Sequence, residues 1–170
     1  MFNSRFLYKL INLGPIILLY YLSVSEIDTQ FENYFEILSF NIQLIIIYFW
    51  ALKLPSILGN GHIFFAGLIN DVVLGFPLGL SSLTYLIVSL VATYIKNMTV
   101  HTTITSDWFT FLIALSLSNL IFYLLASNFS EISVNIIEMS YNTFFTLIFF
   151  PFFRLFFSYY SEFMRVGKNA

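Results

Sequence analysis

The chain has 170 residues, of which 59% are hydrophobic and 9% charged, with a net charge of −2. A soluble domain carries about 25% charged residues, so this chain has too little polar surface to cover a water-facing core, and lipid is its expected solvent. It has no cysteine, which excludes disulfides, thiol catalysis and thiolate metal sites.

The apolar runs are long and lack the alternation of membrane strands. Helices then remain as the spanning element, because each satisfies its own backbone hydrogen bonds. The expected fold is all-α: a polytopic helical membrane protein with six spans in one domain, without soluble domain, repeat or linker. The first span is about Leu7–Val24, preceded by Arg5 and Lys9. Its apolar run is long for a signal sequence and no small-x-small cleavage site follows, so it is expected to stay as a span. Glu26, Asp28, Glu32 and Glu36 fill the loop to the second span, about Ile37–Leu54. The third, about Gly61–Leu74, is short and leads into Gly75-Phe76-Pro77-Leu78-Gly79. The fourth is about Leu78–Ile95; a competing reading joins Gly61–Ile95 into one broken helix and leaves five spans. The fifth is about Trp108–Ser127 and the sixth about Asn135–Phe157, with Pro151 expected to kink its inner end. The aromatic tail "RLFFSYYSEFMRVGKNA" is expected to lie at headgroup level as an anchor.

The basic residues orient these spans. With six spans and the N-terminus inside, Arg5, Lys9, Lys53, Lys96, Arg154, Arg165 and Lys168 all fall at cytoplasmic ends or tails. Five spans would move the last three outside, against the positive-inside rule. The expected topology has both termini in the cytoplasm.

Asp71 is the only acid expected deep within a span. An intramembrane carboxylate is a functional candidate by default, as an ion or proton relay or as a contact to a partner's helix. The preferred reading is architectural. Gly75, Pro77 and Gly79 cannot continue an ordinary helix, and the freed amides opening the fourth span point back toward the third. Asp71 is placed to accept their hydrogen bonds at the favourable end of the helix dipole. Ala66 and Gly67, and Ser116 with Ser118, permit close helix packing.

Catalysis is not expected. It needs a second cooperating group, and Asp71 has no intramembrane acid in a similar motif. His62 at the third span's inner end and His101 in a loop do not make a metal site, and no metal or other cofactor is expected. Glu138 and Asn142 share a face at i, i+4; they could line a polar groove or equally mark an interfacial helix end. No nucleotide fingerprint occurs, and no nucleic-acid partner is expected. The triplets Asn97-Met98-Thr99 and Asn128-Phe129-Ser130 are read as chance matches to a glycosylation signal.

The stretch "FFAGLINDVVLGFPLGLSSLTYLIV" resembles the signature of the bacterial rod shape-determining MreD family. The matching residues are Gly67, Leu68, Asp71, Gly75, Pro77, Leu78, Gly79 and Leu80, with Tyr48, Trp50 and Pro55 upstream and Pro151 late in the last span. Two departures are a weakly basic loop after the fourth span, with only Lys96 and His101, and Phe150 where the family often has Trp. The resemblance implies a fold similar to the substrate-binding subunits of energy-coupling-factor transporters. It implies a non-enzymatic scaffold of the cell-elongation machinery in the bacterial inner membrane that binds MreC. Through MreC it would act indirectly with MreB, RodA and the RodA transpeptidase in cell shape and peptidoglycan synthesis. On this reading Gly67, Asp71, Gly75, Pro77 and Gly79 shape a partner-binding scaffold. The alternative is a small-solute, vitamin-type transporter substrate-binding subunit, with Asn119, Glu138, Tyr141 and Asn142 as ligand candidates. A third reading, a membrane enzyme acting on a lipid-linked substrate, requires a catalytic partner beside Asp71.

Overall fold

The computed structural model describes residues 4–25, 40–98, 103–128 and 135–168, without the side chains of 4–11 and 165–168. Among the described residues the chain forms six helices and no strand: α1 (Ser4–Val24), α2 (Ile42–Lys53), α3 (Asn60–Leu74), α4 (Leu80–Met98), α5 (Ile104–Asn128) and α6 (Ile136–Lys168). The readings placed on Glu26, Asp28, Glu32, Glu36 and His101 lie outside the described residues. So do the side chains of Arg5, Lys9, Arg165 and Lys168, and both Asn-x-Ser/Thr triplets reach beyond them.

α2 is the centre of the molecule. Every residue from Leu44 to Leu52 is buried, as befits a helix apolar on all sides. It is shorter than the expected span from Ile37. The Asn41 side chain accepts the Leu44 amide at 3.1 Å and caps the helix there. Its C-terminus falls at Leu54, immediately before Pro55, where helix is disfavoured. The remaining twelve residues rise about 18 Å at about 1.5 Å each. α2 can be this short because other helices surround it.

α3 and α4 form an antiparallel pair: Ser89 Oγ donates to Asn60 Oδ1 at 3.0 Å near one end, and Gly67 lies against Ser82 near the other. They are two helices with a turn between them, so the single broken helix over Gly61–Ile95 is not formed. α5 and α6 are antiparallel as well. Asn119 Nδ2 donates to Thr143 Oγ1 at 2.6 Å, and Trp108 Nε1 to the Leu147 carbonyl at 2.9 Å. Between them Phe111 and Phe150 stack with centroids 4.2 Å apart, and Tyr48 of α2 packs edge-on against both. Such offset and edge-on ring pairs add to the area they bury.

α6 departs from expectation. It passes through Pro151 as one helix to Lys168, so the tail up to that residue continues the sixth helix beyond the expected end at Phe157. Its far part is held by packing: Tyr160 meets Trp50 at 6.1 Å and closes over Gly14 of α1, while Phe157 lies against Phe49 and Trp50.

Two helices, α5 over Ile104–Asn128 and α6 over Ile136–Met164, are long and apolar enough to cross a membrane. Their outer faces are apolar and uncovered, with Ile113, Leu120, Phe144, Ile148, Phe152 and Phe156 all more than half exposed.

Candidate functional site

Asp71 lies in the last turn of α3 and is completely buried. Its Oδ2 accepts the Gly79 amide and its Oδ1 the Ser81 amide, both at 2.7 Å. These are among the first amides of α4, which have no carbonyl partner inside the helix. The same residue closes α3 through its main chain: its carbonyl accepts the Gly75 amide, and the Phe76 amide at 2.9 Å. One residue therefore ends a helix with its carbonyl and begins the next with its carboxyl group.

The glycines make this geometry reachable. Gly75 ends α3 in the left-handed region at φ 68°, and Gly79 adopts φ 102° before α4. Side chains rarely tolerate either conformation. Pro77 accepts the Leu80 amide at 3.2 Å and turns the chain between them. Gly67 serves a different purpose. A Cβ there would stand 2.4 Å from Ser82 Cα and 2.6 Å from its nitrogen, so α3 and α4 touch backbone to backbone. Ser82 Oγ completes the contact by donating to the Phe64 carbonyl at 3.0 Å. Ala66 is buried at the same level; in α5 Ser118 is buried but Ser116 is exposed.

A polar cavity adjoins this hairpin. It holds about 320 Å³ and is lined from α3, α4, α5 and α6 and from Asn41 and Leu44. Asn70, Ser81, Thr84, Asn119, Glu138 and Asn142 supply its polar groups, and Phe76, which meets Phe122 at 5.7 Å, part of its apolar wall. A smaller space of about 200 Å³ shares Asn41, Asn70, Leu74 and Asn142 with it. A hydrogen-bonded chain fixes the side between α1 and α4. Tyr85 donates to Gln43 Oε1 at 2.5 Å. Gln43 Nε2 donates to Asn70 Oδ1 at 3.2 Å and to the Leu22 carbonyl at 2.9 Å. Asn70 Nδ2 donates to Ser81 Oγ at 3.1 Å. The structure thus brings Asn119, Glu138 and Asn142 to one cavity, while Tyr141 is 47% exposed and not part of its lining. Gln43, Asn70 and Tyr85 carry no local motif; they are polar residues on three different apolar helices.

At the opposite end of the helices lies a second buried charge centre. Asp107 of α5 is 1% exposed and Arg154 of α6 8% exposed. Arg154 donates to Asp107 Oδ2 through Nε at 2.7 Å and through its terminal nitrogen at 2.6 Å, and Lys53 stands 3.5 Å from the same oxygen. Asp71 is therefore not the sole deeply buried acid, and Arg154 is not a free helix-end cation. The expected fifth span, from about Trp108, leaves Asp107 outside it, but α5 begins at Ile104 and carries Asp107 one turn inside. The signal that could have revealed it was Arg154, an isolated cation amid aromatic residues in α6.

Among the described residues no acid is hydrogen-bonded to Asp71; its two oxygens accept backbone amides. His62 is exposed and pairs with Tyr20 OH at 3.3 Å through Nδ1. Among the described residues no group of three or more His, Asp and Glu could hold a metal ion. Chemically, the Asp71 hairpin can fix helix geometry, and the cavity can present donors and acceptors to a small polar molecule. Comparison of the chain with protein-family models, with curated proteins and with solved structures finds no match.

Proposed function

We propose that this chain is a non-enzymatic scaffold of the bacterial inner membrane, a six-span protein of the MreD type that binds MreC and supports cell elongation. The observation that carries the reading is the use of the residues of the resemblance. Gly67, Asp71, Gly75, Pro77 and Gly79 each have a geometric task in the α3–α4 hairpin: a backbone contact, a double amide acceptor, two positive-φ positions and a turn. Residues so employed set the shape of the hairpin, with each carboxyl oxygen of Asp71 engaged by a backbone amide.

The six-span arrangement is supported by the apolar outer faces of α5 and α6 and by the fully enclosed α2. A short helix is tolerated at membrane depth where protein surrounds it. Lys53, at the end of α2, and Arg154 both meet Asp107 at one end of the bundle, and the polar cavity lies at the other. By the positive-inside rule the cationic end faces the cytoplasm. Between helices in lipid, apolar matching contributes little, so the contact with MreC needs close packing and a few polar groups.

Depletion of the chain from its native cells tests the function. The expected result is loss of rod shape as the protein is diluted, reversed by re-expression. Unchanged cell width and unchanged sites of wall synthesis after depletion would overturn the reading.

A further inference from the structure

We propose that the cavity between the ends of α3 to α6 is a binding site for a small uncharged molecule rich in hydroxyl or amide groups, of monosaccharide size. This inference stands on the cavity alone and does not rest on the scaffold reading. A volume of about 320 Å³ falls at the lower end of the range of small-molecule sites, about 300–1,000 Å³. It accommodates one ring with its substituents.

The chemistry of the wall selects the class of occupant. No Lys, Arg or His lines the cavity among the described residues, and Glu138 is its one charged group, so nothing there neutralises an anion. Carboxamides and hydroxyls, which both donate and accept, make up the rest of the polar lining. Several keep capacity to spare. Asn119 commits its Nδ2 to Thr143, and its Oδ1 accepts nothing from the described residues. Ser81 Oγ accepts from Asn70 and retains its own proton to donate. Beside them, the Phe76–Phe122 pair offers an apolar surface for a ring face. The polar wall is also held in place before anything binds. Asn70 is fixed by Gln43 and Ser81, and the Ser81 amide is fixed by Asp71. A preorganised wall lowers the ordering cost of binding. The bracing of Asp71 thus has a second consequence, because it sets the position of a group that lines the site.

The absence of native cysteine makes the test clean. Met139→Cys places a single thiol in the cavity lining, Ser140→Cys an exposed thiol on the same helix, and Leu90→Cys an exposed one on an apolar surface. The protein is purified intact into lipid nanodiscs and treated with water-soluble thiosulfonate reagents that are cationic, neutral or anionic. The proposal expects the Met139→Cys thiol to react, with the cationic and neutral reagents faster than the anionic one by about tenfold. It also expects the thiol to be protected by at least one of a panel of neutral monosaccharides and their N-acetyl derivatives. Ser140→Cys should show neither the selectivity nor the protection, and Leu90→Cys should stay unreactive. Adding Asn119→Leu to Met139→Cys should abolish protection while leaving the thiol reactive, which separates lost binding from lost folding. A Met139→Cys thiol that is inert while Ser140→Cys reacts, one that prefers the anionic reagent, or one that no sugar of the panel protects would overturn the proposal.

Discussion

At the residue scale, Asp71 replaces hydrogen bonds that a continuous helix would have supplied. Removing a buried acceptor leaves each donor at a cost of about 1–3 kcal/mol, and Asp71 serves two side-chain-bonded amides. Asp71→Leu should therefore lower the yield of monodisperse protein and its melting temperature in detergent strongly. Asp71→Asn, which keeps one acceptor oxygen, should fall between it and the wild type. Equal, wild-type behaviour of both variants would remove Asp71 from the account. The glycines give a second, independent reading of the same hairpin. Gly67→Val would drive a side chain into the Ser82 backbone, which cannot swing aside, at an overpacking cost of about 1–3 kcal/mol. Gly61→Ala has open space around its Cβ and should be neutral or slightly stabilising. Thermal melting of the two side by side checks the contrast. Asp71, Gly75, Pro77 and Gly79 were legible in the sequence because helix stop, turn and restart are local signals within nine residues.

At the scale of elements, the Asp107–Arg154 pair ties α5 to α6, with Lys53 bringing in the end of α2. Breaking a buried pair by removing one partner strands the other charge and costs about 3–5 kcal/mol, whereas replacing both by apolar groups is often neutral. Arg154→Met and Asp107→Leu should each destabilise the protein sharply, and the double variant less than the sum of the two. Lys53→Met, at a site whose side chain is 26% exposed, should have a smaller effect. A double-mutant cycle by thermal melting gives the coupling; additive single effects would mean that the pair is not an energetic unit. Little of this was legible, because the partners lie 47 residues apart and only folding places them together. The same holds for Gln43, Asn70 and Tyr85, whose bonds span 11 to 42 residues. Helix ends were legible to within a few residues, with two exceptions. α2 starts at Ile42 because Asn41 caps it, and α6 runs through Pro151 to Lys168 because α1 and α2 hold its aromatic face.

At the scale of the whole molecule, the all-helical class was legible from long apolar runs that lack the alternation of strands, and the described residues form helices and no strand. The order of packing did not follow from composition. The least amphipathic segments compete for the same apolar interior, and the structure encloses α2 while leaving the outer faces of α5 and α6 bare. The proposed orientation has a direct consequence. In sealed, right-side-out vesicles a membrane-impermeant thiol reagent should modify Ser140→Cys, beside the cavity. It should reach Lys96→Cys, at the other end of α4, only after permeabilisation. Simultaneous labelling of both from outside would rule out the six-span topology.

The central claim, that this chain acts as a shape-determining scaffold, is tested most directly by affinity purification of the tagged protein from its native membranes in mild detergent. The account predicts recovery of a single-span partner with a large outer domain, MreC, together with the wall synthase and its transpeptidase. Recovery of paired ATPases with a transmembrane coupling subunit, and no wall synthase, would contradict it and assign the chain to solute uptake.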